Sequence, residues 1–407
     1  MKFFRVPNVR LLSRVGVAVA VSAVTLTSPA SAQDAKEAMA AFIDANATSY
    51  AAVAQEIWEL AEVGYMETES SEKLQGMLRS AGFEIASGVA GIPTAFVASY
   101  GGGGPVIGIM GEYDALPGIN QSRSAERDPI PGKIAGHACG HHLFGTGSVA
   151  AALAVKEWLD ETGAPGTIRV YGTPAEEGGA GKVYMVRAGL MDDVDVMLHW
   201  HAGSQNSASA SSSLANKSGK FRFYGQSAHA ASAPWRGRSA LDGVEAMHDM
   251  VNMMREHVTP ASRIHYVITS GGSAPNVIPD FAESYIYVRH PDPNEVRRMF
   301  DWVTRIAEGA AMGTETRMEL EVIHGIYNVL PNEALGRAMH ANLTAVGGVE
   351  YTAEERRFAE MIQNTFPEGV PPIERANEIE PFEVIEVGQG GSTDVGDVSW
   401  TVPTAGL

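Results

Sequence analysis

The stretch TIRVYGTPAEEGGAGKVYMVRAGLMDDVDVMLHWH, residues 167–201, decides the fold. Thr167–Gly172 is a run of β-formers, Lys182–Ala188 suits one short helix, and Val194–His199 is again strand-like. Strand, helix, strand in that order predicts an α/β protein with a mixed, mostly parallel sheet flanked by helices. In open α/β sheets, ligands bind beyond the carboxyl ends of the strands. Both strands here end in reactive side chains: Thr173-Pro174-Ala175-Glu176-Glu177-Gly178-Gly179 follows the first, and the second runs into His199-Trp200-His201.

Two more such ends lie upstream. The strand Val106–Met110 leads into Gly111-Glu112-Tyr113-Asp114, and His137-Ala138-Cys139-Gly140-His141-His142 immediately precedes a helix over Leu143–Asp160. Further towards the N-terminus the spacing predicts helices over Asp34–Gly64 and Ser70–Ser80, then a strand over Thr94–Tyr100. The run Gly101-Gly102-Gly103-Gly104 lies between two strands and opens no helix, so it reads as a hairpin turn and not as a phosphate loop. Downstream, the Ser/Ala-rich stretch Ser204–Ser213 reads as a linker. Beyond it come strand Gly219–Gly225, helix Arg238–His257, strands Arg263–Ser270 and Phe281–Arg289, helix Asn294–Met312 and strand Met318–His324. That β-α-β-β-α-β order is ferredoxin-like and of a length suited to a separate small domain. From Asn328 the pattern is mostly helical to Asn364, and a Pro/Glu-rich loop then leads to Gly388–Trp400.

The composition fits this plan. The chain has 407 residues, 45% of them hydrophobic and 19% charged, with a formal charge of −18. An acidic surface repels phosphate backbones and anionic lipid heads, so neither nucleic acid nor membrane is an expected partner. The single cysteine, Cys139, rules out an internal disulfide. Compartment is read from the N-terminus instead. Lys2, Arg5, Arg10 and Arg14 precede an apolar run, Val15–Leu26, and Ser28-Pro29-Ala30-Ser31-Ala32 follows it. A basic start, a short apolar segment and an A-x-A ending make a signal peptide over residues 1–32. The apolar run is too short to span a bilayer, which takes about 20 residues. The expected location is therefore periplasmic or secreted.

Taken singly, each reactive cluster has a plainer explanation. A lone Cys is more often buried packing, a lone His a satisfied core residue, and Glu176-Glu177 a solvated turn. Four such clusters on one predicted rim make a metal site, because Cys, His and Glu are ligand types that divalent metals use. Adjacent carboxylates also allow one to coordinate while the other moves protons.

The ordered motifs GEYDALPG, GHACGHHLFGTG, GTPAEEGG, DVMLHWHAG, GQSAHAASAPWRGRSALDGVEAM, APNVIPDFAESYIYVRHP and GQGGSTDVGDVSW span nearly all of the chain after residue 32. As a set they resemble the aminoacylase/carboxypeptidase family of co-catalytic metallohydrolases, in its aminobenzoyl-glutamate hydrolase-like branch of N-acyl-amino-acid amidohydrolases. The resemblance implies a zinc-exopeptidase-like catalytic domain in two pieces, 33–213 and 328–407. A ferredoxin-like lid and dimerisation domain, 214–327, would be inserted between them. It implies two divalent ions, zinc, manganese or cobalt. Cys139 would stand between them, with His141 and His201 on one ion and Glu177 on the other. Glu176 would be the general acid/base and Asp114 would orient the site. His229 would reach the partner subunit's active site in a homodimer, and Asn276 and Arg289 would hold the substrate's amide and carboxylate. For Arg289 the plainer reading is a strand-end surface arginine, and His142 takes no ligand role. The family draws one more ligand from a histidine near the C-terminus, whereas the histidines here end at His340. The second ion is therefore expected to be held incompletely, and His137 is the first candidate to complete it. The implied reaction is hydrolysis of the amide of an N-acyl or N-aroyl amino acid. The alternatives are a metallo-dipeptidase or carboxypeptidase, and an exported binding protein without turnover.

Overall fold

Residues 29–367, 369–388 and 390–407 are described by a computed structural model of the chain. The signal-peptide reading falls on residues 1–32, of which 1–28 lie outside the described residues. Helix α1 (Pro29–Leu60) ends where Ala61 turns to a left-handed φ of 47°, four residues before the end expected from its spacing. Helix α2 (Thr68–Ser80) follows, then β1 (Glu84–Ser87), β2 (Phe96–Gly102) and β3 (Val106–Gly111). Next come α3 (His141–Thr162), β4 (Gly166–Gly172), α4 (Gly181–Arg187) and β5 (Val196–His199). No helix among the described residues is long and apolar enough to cross a membrane.

The six-stranded sheet has the order β1-β2-β4-β3-β5-β10, where β10 is Thr404–Gly406. β4, β3, β5 and β10 run parallel, and β1 and β2 add an antiparallel margin. The hairpin expected at Gly101–Gly104 does not form. β2 and β3 are separated by β4, which pairs with both. The glycines serve that crossing: Gly101 has φ 89°, and a Cβ there would lie 2.3 Å from the Gly166 carbonyl oxygen. Turn residues between two strands specify a change of direction, but not which strand fills the gap. One core between the sheet and α1–α3 gathers Ile57, Leu74, Leu78, Phe96, Leu153 and Val170.

The inserted unit contains β6 (Ala215–Tyr224), α5 (Ala240–Met254), β7 (Arg263–Ser270), β8 (Phe281–His290), α6 (Pro293–Gly313) and β9 (Arg317–Ile326). Its sheet order, β7-β8-β6-β9, is antiparallel throughout, as the ferredoxin-like pattern requires. Asp292 caps α6 by accepting the Asn294 N–H, with Pro293 at the first turn. Val296, Met299, Phe300, Val303, Ala307 and Ala310 then recur at helical spacing and are buried against the sheet. Full burial of a side chain such as Phe300 contributes about 2–3 kcal/mol. In β8 the strand period of two turns Ile286 and Val288 to these helices and Tyr287 and Arg289 to the opposite face.

Ser204–Ser213 is no free linker. Ala210–Ser211 pairs in parallel with Val384–Ile385, and the Asn206 amide donates to the carbonyls of Ala376 and Glu378. Small side chains let this segment lie close against the returning chain. A two-residue ladder leaves no periodicity to read. Helices α7 (Glu333–Val346), α8 (Ala353–Gln363) and α9 (Val395–Ser399) come after the inserted unit and ahead of β10.

Candidate metal centre and active site

Because β3, β4 and β5 are parallel, their carboxyl ends share one edge of the sheet. Glu112 and Asp114 follow β3, and period-two spacing turns both to the same side. Gly140, at φ 78°, starts α3, so Cys139 and His141 flank the start of that helix. The loop after β4 is held by two acids. Glu67 accepts the Ala175 N–H at 2.8 Å, and Asp114 accepts the Glu177 N–H at 2.9 Å. Ala175 sits at φ 60° and turns the chain so that Glu176 and Glu177 face the edge.

Two groups of side chains converge there. The Cys139 thiol, a His141 nitrogen and a Glu177 oxygen lie within 4.8 Å of one another, as do ligand atoms of Glu112, His141 and His201. His141 belongs to both groups, where the sequence reading put Cys139 between the ions. His141 Nδ1 lies 3.0 Å from both the Asp114 carbonyl and its Oδ1, which fixes the ring and leaves Nε2 facing Glu112 Oε2 at 3.0 Å. Glu112 Oε2, His141 Nε2 and Glu177 Oε1 are buried polar atoms without a hydrogen-bond partner among the described residues. Imidazole and carboxylate atoms left unpaired around one space, with a thiol beside them, suit a divalent ion. His137 does not join them: its Nε2 meets the Ile57 carbonyl at 3.1 Å and its ring packs on His142. The first candidate for completing the second ion's shell is therefore turned away.

The electrostatics follow from burial and crowding. Burial would lower His141, but the Glu112 and Asp114 carboxylates overcome it and push the imidazole up to about 10. Burial and the neighbouring Glu177 carboxylate push the Cys139 thiol up to about 12. Asp114 is held below the usual carboxylate range in spite of its burial, because His141 donates to it. Glu176 is raised well above that range by burial, with Glu112 and Asp394 adding to it. It therefore stands as a carboxyl that holds its proton readily, as a proton shuttle must.

A cavity of about 340 Å³ opens beside Glu176 and Glu177 and is also lined by Tyr287, Arg289 and His324 from the inserted domain. Arg289 is half-buried. It lies over the Tyr287 ring and donates to the Ser392 hydroxyl at 3.1 Å, and its Nε has no partner among the described residues. It is thus no surface arginine. His324 Nδ1 lies 3.1 Å from the Gly178 carbonyl, tying β9 to the Glu176 loop, and burial pushes that histidine down to about 4.

His229 and Asn276 stand apart. Both are exposed on the inserted domain beside the bridge pairing His229 with Val277, and neither lines the cavity. His229 Nδ1 accepts the Ala231 and Ser232 N–H groups, so the ring proton sits on the outward Nε2.

Three residues passed over in the sequence complete the site. Lys182 is fully buried, with Nζ 2.6 Å from Glu112 Oε1 and 2.7 Å from Asp394 Oδ1. Burial alone would strip its proton, but Asp394 and Glu112 reverse that and raise it. Glu112 was legible: it shares a strand end and a face with Asp114. Lys182 and Asp394 carried no local signal.

The model of Peptidase family M20/M25/M40 matches residues 108–375. Two different subunits of the p-aminobenzoyl-glutamate hydrolase of Escherichia coli (strain K12) are similar to this chain. One is 41% identical over 389 residues, covering 89% of this chain and 81% of that protein. The other is 30% identical over 229 residues, covering 53% and 52%. The Xaa-Arg dipeptidase of Mus musculus is 30% identical over 375 residues, covering 89% and 76%. Among solved structures, a Bacillus subtilis dinuclear metal-binding peptidase of the M20 family shares the fold, with a TM-score of 0.55 at 18% identity over 89% of this chain and 88% of that one. The protein is a metal-binding hydrolase of amide bonds, and the chain belongs to peptidase family M20/M25/M40.

Proposed function

We propose that the protein is an exported, dimeric amidohydrolase that uses two divalent ions, zinc, manganese or cobalt, to release a carboxylic acid and an amino acid from an N-acyl or N-aroyl amino acid. The observation that carries this reading is the shared cavity, in which the half-buried Glu176 carboxyl and the Arg289 guanidinium face one space beside the Cys139, His141 and Glu177 donors. An amide with a carboxylate on its amine side fits that spacing of roles.

Cys139, His141, Glu177 and His201 would hold the ions, with Asp114 fixing the His141 ring. A divalent ion in such a site lowers the pKa of a coordinated water towards about 7 and polarises an amide carbonyl. Glu176 takes the proton of the attacking water and returns it to the leaving nitrogen. Arg289 pairs with the substrate carboxylate and so sets the register of the amide against Glu176. The half-buried Tyr287 ring beside it offers an apolar wall. His229 would supply a hydrogen-bond donor to the oxyanion in the neighbouring subunit, and Asn276, exposed beside it, would bond the substrate amide. The lid's edge strand β7 exposes Val267 and Ile268, which supports pairing of lids. The Escherichia coli relatives are two different subunits of one hydrolase, so a heteromer is the arrangement to test against the homodimer. The dipeptidase reading, supported by the mouse relative, uses the same residues and differs in substrate alone.

The test is a panel of N-aroyl glutamates, other N-acyl amino acids and dipeptides, assayed with metal and with chelator. Metal-dependent turnover fastest on the acyl amino acids is expected. Faster turnover of dipeptides favours the second reading, and metal binding without turnover of any amide overturns both.

A further inference from the structure

We infer that Glu112 is itself a metal ligand, held in place by the buried Lys182–Asp394 pair. The inference rests on the metal-centre reading above and adds to it a ligand from the end of β3. Glu112 is 1% exposed and its two oxygens have different surroundings. Oε1 takes the Lys182 ammonium at 2.6 Å, and Lys182 is anchored in turn on Asp394 through Nζ at 2.7 Å and its backbone N–H at 2.9 Å. Oε2 has no hydrogen-bond partner among the described residues and points at His141 Nε2, which has none either. An acceptor oxygen and a ring nitrogen facing each other in a buried space need a cation or a proton between them. The third member, His201, has Nδ1 on the Ala202 carbonyl at 2.8 Å, which leaves its Nε2 free to ligate. Two ligand atoms about 2.0–2.1 Å from a tetrahedral ion stand about 3.3 Å apart. The 3.0 Å gap between Oε2 and Nε2 is within a few tenths of an ångström of that.

Charge balance points the same way. Glu112, Asp114 and Asp394 are each about 1% exposed, and the buried Lys182 ammonium offsets one of their three charges. Two negative charges are left over in this buried space. A divalent ion supplies the missing charge. Lys182 prevents Glu112 from swinging away, which is the task of groups that orient a ligand from behind.

Two measurements decide this. Metal content and affinity are followed by equilibrium dialysis with Zn²⁺ or Co²⁺ for wild type and Glu112→Gln, a change that keeps an oxygen for Lys182. The expected result is loss of one ion per chain, or at least about a tenfold weaker affinity for it, with the other ion unaffected. Equal binding by the two proteins overturns the inference while leaving the metal site intact. Wild type that binds no divalent ion overturns the proposed function as well. A crystal structure of the zinc-loaded wild type needs no variant to fold. A Glu112 oxygen at about 2.0–2.2 Å from an ion supports the inference, and a Glu112 carboxylate bonded only to Lys182 and His141 overturns it.

Discussion

Glu67→Gln separates the role of a buried acid in shape from its role in charge. Glu67 is fully buried at the start of α2, and its oxygens accept the Ala175 N–H at 2.8 Å and the Thr94 hydroxyl at 3.0 Å. Burial, with a contribution from Asp114, raises its carboxyl to about 7 from an ordinary 4.5. Because the folded value is the higher one, folding favours the protonated acid. That stabilisation is complete below the unfolded value of about 4.5 and is lost as pH rises through about 7. At about 1.4 kcal/mol per pH unit, the loss comes to about 3 kcal/mol. Glutamine mimics the protonated acid at every pH: its oxygen accepts from Ala175, and its amide can donate to a rotated Thr94 hydroxyl. Urea unfolding of the metal-free protein should therefore show the variant gaining on wild type by about 3 kcal/mol between about pH 4.5 and pH 8.5. Its kcat should stay within about threefold, because the bond that sets the Glu176 loop survives. A constant difference across the pH range, or a variant that loses stability above about pH 8, refutes the reasoning.

Two further outcomes follow from the site. Cys139 stands at about 12 and His141 at about 10, raised by the carboxylates around them, and both must give up a proton to bind an ion. Apparent metal affinity should therefore rise about a hundredfold per pH unit between about pH 6 and 8, and about tenfold in Cys139→Ser; an unchanged slope removes Cys139 from the ligands. If His229 serves the neighbouring subunit, mixing inactive Glu176→Gln and His229→Ala chains should restore partial activity in heterodimers, and no recovery in verified heterodimers assigns His229 to its own subunit or to no role.

The clusters on the rim were legible because a parallel sheet gathers its strand ends, so local strings such as PAEEGG and HWH could be placed without knowing the packing. The ferredoxin-like unit was legible from strand and helix order alone. Strand adjacency was not: the glycines at 101–104 signal a turn, while the insertion of β4 between β2 and β3 is decided by long-range pairing. Lys182 looks like an ordinary helix lysine until Asp394, 212 residues away, closes on it. Ser204–Ser213 reads as a linker because its partner, Val384–Ile385, is also far along the chain and its ladder only two residues long. Glu112 failed for another reason, since with Asp114 beside it one acid was given the whole role of the strand end.

The central claim is that Glu176 moves the proton in a metal-dependent amide hydrolysis without holding the metal. Glu176→Gln, loaded with the metal that best supports wild-type turnover of an N-aroyl glutamate, should retain the wild-type metal content while its rate falls at least about 100-fold. A variant that loses metal, or one that keeps metal and hydrolyses the amide at the wild-type rate, contradicts the account.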